Sequence, residues 1–214
     1  MITTTSRNAI QIVRPGTAEV RTVPSPRSRP DYVIAETRAF ALNPTDIHHI
    51  DHLGGSETIL GCDWSGIVRD VGANVTRFKP GDAVYGVCHG GKRPATVKVT
   101  TTSVLNARLT VTGNTVEPED GAYADMIACK EFATMHKPDF LDFAQAAALG
   151  VTLTTIGQAL YWVMKLPLPS PDGPAASDKV MFVYGGSSAT GTIAIQAAKL
   201  YVKSLGRLHS LSRI

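Results

Sequence analysis

The stretch Val180 to Gly191, VMFVYGGSSATG, sets the tightest limit on how this chain folds. A short apolar run of β-forming residues enters a glycine turn, and helix formers follow. A strand of this kind is buried on both faces, so it requires parallel neighbours and helices packed over them. Gly185 and Gly186, with Ser187, Ser188, Ala189, Thr190 and Gly191, allow the backbone to approach an anion. The anion's charge then sits over exposed N–H groups at the helix start. The hydroxyls of Ser187, Ser188 and Thr190 are further donors, and Ile193, Ile195, Ala197, Ala198 and Leu200 give the helix Thr190 to Lys203 an apolar side. The spacing departs from GxGxxG, so the turn by itself reads equally as an ordinary strand-to-helix connection.

The chain is 214 residues long, which at about 100–200 residues per domain means one large or two small domains. With 43% hydrophobic and 18% charged residues it has the composition of a globular protein with a core. A net charge of +3 with no basic run argues against a nucleic-acid partner. The N-terminus lacks the apolar centre of a secretory signal, and no uninterrupted apolar stretch approaches the ~20 residues that span a bilayer. These features predict a cytoplasmic protein without a membrane partner. Cys62, Cys88 and Cys129 are odd in number and have no CxxC spacing, the pattern of free, buried thiols.

From Ala9 to Ala41 short β-rich runs alternate with Pro15-Gly16 and with the proline-rich segment Pro24 to Pro30. Trp64 to Val71 and Ala83 to Val87 continue the series around a turn at Lys79 to Asp82. Together they predict an antiparallel, barrel-like domain over residues 1–150. Asp142 is placed to cap a helix through Leu149, and Leu153, Ile156, Leu160, Val163 and Met164 predict a second helix from Thr152 to Lys165. Gly91 to Val116 interrupts the barrel with no acidic residue and many threonines and valines. An active-site lid is one reading; a tolerated surface excursion or retained non-coding sequence is the favoured one.

Six ordered motifs place these elements in a wider context: Ala41 to Asp46, Leu60 to Gly66, Val71 to Val75 with Phe78 to Asp82, Gly121 to Ala124, Ala146 to Leu149, and Val183 to Gly186. In this order they resemble the medium-chain dehydrogenase/reductase superfamily. Leu166 to Pro171 and the serine-rich turn are most similar to the fungal trans-acting enoyl reductases of polyketide biosynthesis. The resemblance implies an α/β fold: an N-terminal GroES-like β-barrel, then the first βα unit of a Rossmann domain at 151–214. It also implies NADPH as cofactor and an enoyl thioester on a polyketide synthase acyl carrier as substrate. Cofactor contacts would fall on Thr45, Asp46, His48, Thr155, Gly185, Gly186, Ser187, Ser188, Ala189 and Thr190. His48 replaces the lysine common there. A zinc-free quinone or alkene reductase, or a non-catalytic barrel fragment, are the alternatives.

No residue stands out as the proton donor; His48 and Tyr123 are weak candidates, and Tyr123 also reads as a packed core tyrosine. A catalytic zinc takes three protein ligands, whereas only Cys62 and Asp63 occupy ligand-like positions. His48, His49 and His52 lack a third partner of known proximity, so no metal is expected. Ser204 to Ile214 lack the β-branched run of a second buried strand. One strand and one helix do not make a parallel sheet, so the expectation is a C-terminally truncated nucleotide half that binds NADPH weakly or not at all. A monomer is slightly favoured.

Overall fold

Alternating apolar residues build seven strands in the computed structural model, which describes residues 5–90, 117–169 and 181–201. The chain divides into two units, Met1–Gly150 and Val151–Ile214. In the first, β1 (Ser6–Arg14) pairs antiparallel with β2 (Thr17–Pro24). The tight reversal between them rests on Gly16, whose φ of +76° suits glycine. A five-stranded antiparallel sheet follows the order β6 (Met126–Lys130), β3 (Tyr32–Ala41), β4 (Asp63–Val71), β5 (Ala83–Val87), β7 (Thr134–His136). Single bridges from Ala9 to Ala124 and from Gln11 to Ile59 tie the hairpin to the rest.

The inward residues meet in one core that includes Ile12, Val33, Trp64, Val68, Val84, Ile127 and Cys129. Each large apolar side chain withdrawn from water here contributes about 1.5–3 kcal/mol before conformational entropy is set against it. Helix α2 (Phe143–Ala147) closes over β3, β4 and β5. Its start is fixed by the residue expected to cap it: Asp142 accepts from Gln145 N at 2.7 Å, and the Gln145 side chain accepts from Asp142 N at 3.0 Å.

The second unit differs from expectation in its strand. Val180 lies outside the described residues, and Met181 to Val183 pair with no strand among them. A parallel strand exists only through its neighbours, and no partner strand is present among the described residues. The alternation survives in packing: Met181 and Val183 rest against Ile156, Leu160, Ala194 and Tyr201, whereas Phe182 and Tyr184 are 70% and 81% exposed.

The helix expected over Thr152 to Lys165 forms as α3 (Gly150–Gly157) and then widens into a π-helical turn, Gln158–Val163, which ends where Lys165 takes a φ of +56°. The helix expected over Thr190 to Lys203 forms as α4 (Ala189–Ala198); Lys203 lies outside the described residues. So do Gly91 to Val116 and Ser204 to Ile214. The helical run Phe143–Val163, 21 residues, is long and on average apolar enough to cross a membrane by length and composition only, although it is not an uninterrupted apolar stretch. Polar Gln145, Thr152, Thr154, Thr155 and Gln158 break the run residue by residue but not on average. Ala146, Ala147, Ile156 and Leu160 on it are buried against protein, as in core helices.

Candidate functional site

Helix α1 (Pro44–His48) begins just after β3 and carries the first group of expected site residues. Pro44 sits in its first turn, where a missing N–H leaves no bond unmade. Asp46 reaches back, and its Oδ2 accepts from Asn43 N at 2.7 Å. The same oxygen accepts from the Tyr123 hydroxyl at 2.6 Å, and that hydroxyl also lies 2.9 Å from Ala41 O. One buried carboxylate therefore fixes the start of α1 to the strand-like segment around Tyr123.

Asn43 extends this network by donating from Nδ2 to Asp63 Oδ2 at 2.9 Å. Asp46 and Asp63 are both buried. Burial pushes the Cys62 thiol up, and the two carboxylates push it further. Burial also raises the Tyr123 hydroxyl, with the bond to Asp46 the next cause, so the phenol keeps its proton. The ring of Tyr123 packs on Phe40 with centroids 4.7 Å apart, beside a cavity of 260 Å³. On its other side stands Gly61, with φ of +99°, where a Cβ would lie 2.3 Å from the ring. Only glycine lets the two backbones approach so closely.

The next turn is π-helical, His49–Leu53, and it separates the histidines. His48 and His52 are exposed, whereas His49 is buried. A carbonyl can only accept, so the 2.7 Å contact to Thr45 O makes His49 Nδ1 the protonated ring nitrogen. His49 also meets His89 edge-on, centroids 5.8 Å apart. Sequence reasoning took His49 only as one of three clustered histidines and Asn43 only as part of a motif. The signal for the first was the Thr45-to-His49 spacing of one helical turn. Among the described residues no three His, Cys, Asp or Glu side chains gather as a metal site.

In the second unit the glycine turn is built as a helix N-terminus. Gly185 has φ of +76°, and Ser188 caps α4 by accepting from Gly191 N at 3.0 Å. A Cβ on Gly191 would lie 2.2 Å from Gly185 O, so the turn folds back directly on the helix. The Ser188 hydroxyl differs from expectation: it donates to Gly185 O at 2.8 Å, so its proton is committed within the turn. Ser187, Ser188 and Ala189 are exposed around the helix start. Backbone N–H groups flanked by the Ser187 hydroxyl suit a phosphate. Thr155 is exposed on α3 and donates to Val151 O at 2.7 Å.

Comparison with known proteins adds the family. Residues 29–139 match the alcohol dehydrogenase GroES-like domain. The chain belongs to the medium-chain dehydrogenase/reductase superfamily. Trans-enoyl reductase resD of Aspergillus sclerotiorum is 39% identical over 90% of this chain and 51% of its own length. Trans-enoyl reductase TOXD of Cochliobolus carbonum is 40% identical over 82% of this chain and 51% of its own. The chain spans about half the length of the curated relatives it matches. Among solved structures, an alcohol dehydrogenase superfamily protein from Novosphingobium aromaticivorans aligns with a TM-score of 0.70 at 22% identity, over 92% of this chain and 52% of that one. The quinone oxidoreductase of Coxiella burnetii aligns at 0.62 and 23%, over 92% and 55%. These medium-chain dehydrogenase likenesses concern the fold, with the GroES-like unit carrying the Asn43, Asp46, Asp63 and Tyr123 network.

Proposed function

We propose that this sequence carries the barrel and the opening of the nucleotide half of an NADPH-dependent enoyl reductase. It acts in trans on an enoyl thioester borne by the acyl carrier of a polyketide synthase. The identity of 39% and 40% to two fungal trans-enoyl reductases carries the reading. The exposed N-terminus of α4 supports it, since its residues fit a dinucleotide phosphate.

In this reading Gly185, Gly186 and the N–H groups of Ser187 to Thr190 hold the cofactor's phosphates, while Thr45, Asp46, His48 and Thr155 are its neighbours. The nicotinamide, when bound, supplies a hydride. The chain's own residues position the partners and hold protons. Asp46, already bonded to Asn43 and Tyr123, keeps Thr45 in place instead of meeting substrate. Tyr123 keeps its proton for Asp46 and is a positioning residue. His48, exposed, is the side chain free to pass a proton to the α-carbon, with water as the alternative source. Donors aimed at the thioester oxygen stabilise the charge that collects there.

Met181 to Tyr184 have no sheet around them among the described residues, so binding by these residues alone is expected to be weak. The test follows NADPH oxidation with a carrier-bound enoyl thioester and with a free quinone. Both are run on this chain and on this chain completed with the second half of TOXD. The expected outcome is oxidation by the completed chain that depends on the carrier thioester. Preference for free quinone would favour a quinone reductase. No NADPH binding in either form, with a cooperative barrel melt, would leave a non-catalytic barrel.

A further inference from the structure

Two of the three cysteines face each other inside the barrel. Cys129, on β6, points into the core, where its Sγ lies 3.4 Å from the carbonyl oxygen of Val87. Val87 precedes Cys88, which is held by its own N–H bond to Cys62 O at 2.7 Å. The Cys88 and Cys129 side chains belong to one buried core cluster, and both thiols are free. Their mutual interaction holds Cys129 below and Cys88 above the ordinary thiol value, and burial raises Cys88 further. The more acidic thiol of such a pair is the one that attacks an oxidant. Cys62 lies close by, but Asp46 and Asp63 oppose its ionisation.

We propose that Cys88 and Cys129 are a redox modification site, a buried dithiol that hydrogen peroxide converts to an intramolecular disulfide. The Cys129 thiolate attacks one peroxide oxygen; the O–O bond breaks, hydroxide takes up a proton and leaves as water, and Cys129 becomes a sulfenic acid. Cys88 gives up its proton and attacks that sulfur; the S–S bond forms, the S–O bond breaks, and a second water leaves. Both thiols are oxidised and one peroxide is reduced. The bridge closes the chain around Gly91 to Val116. A loop of about 40 residues gives up much conformational freedom in the unfolded state when it is cross-linked. Outside oxidising compartments, disulfides of this kind are transient and redox-sensing.

The test treats the whole chain with hydrogen peroxide under native conditions, counts free thiols and maps linked peptides. Two of the three thiols should disappear together, with a Cys88–Cys129 peptide that dithiothreitol releases. The oxidised protein should melt roughly 5 °C higher. Cys62→Ser should keep the linkage, and Cys88→Ser and Cys129→Ser should each lose it. Linkage through Cys62, over-oxidation without linkage, or thiols that resist peroxide doses sufficient in urea would each overturn the proposal. Where a serine variant does not fold, the wild-type peptide map decides alone.

Discussion

At the scale of single residues, the site depends on one carboxylate serving two masters. Asp46 Oδ2 accepts from Asn43 N and from the Tyr123 hydroxyl, and the second bond is shielded from water. Tyr123→Phe removes the second donor while keeping the ring that packs on Phe40. We expect it to destabilise the first unit by about 1–3 kcal/mol, the cost of leaving a buried acceptor short of a partner. Urea denaturation measures this directly, and an unchanged midpoint would mean that the bond contributes nothing. Tyr123 and Asp46 were legible as motif residues, but their bond joins positions 77 residues apart in sequence, and no local pattern encodes that. His49 shows the reverse: its neighbours His48 and His52 were equally prominent in sequence, yet of the three only His49 is buried.

Among the elements, the clearest match between sequence and structure is the start of α2. Asp142, read as a cap from its place before a run of helix formers, forms a complete capping box. Asp142→Ala should therefore cost about 1 kcal/mol in denaturant, and Asp142→Asn only a fraction of that. A thermal or urea melt of the two variants side by side checks it; equal losses would show that the charge, and not the cap, matters. The strands were legible for a similar reason, since alternation and turn glycines are local signals. The strand read at Val180 to Tyr184 does not form among the described residues, because a parallel strand needs neighbours that its own residues do not supply. The first helix of the second unit was placed correctly but passes into a π-helical turn before the left-handed Lys165, and the helix from Ala189 was placed correctly and is α-helical to Ala198.

For the molecule as a whole, buried acids set the response to base. Cys62 and Tyr123 in the first unit, and Tyr201 in the second, all release their protons less readily than their ordinary values of 9.0, 10.0 and 10.0. Folded protein then binds these protons more tightly than unfolded chain, so their contribution is complete below the unfolded values and is lost as the pH rises beyond them. Cys88 is raised and Cys129 lowered, so the two move in opposite directions. We expect the urea midpoint to hold steady to about pH 8 and to fall progressively above about pH 9. A midpoint that stays level to pH 11 would contradict the burial of these groups. The superfamily was legible in sequence through the resemblance of six ordered motifs, and the barrel strands and the glycine turn because alternation and turn chemistry act within a few residues. Tertiary structure alone decided that Asn43 bridges two buried carboxylates, that Ser188 spends its hydroxyl inside the turn, and that Cys88, just past one strand, shares a core with Cys129 on another. Those outcomes depend on which distant backbones approach each other, and that is fixed by packing in three dimensions.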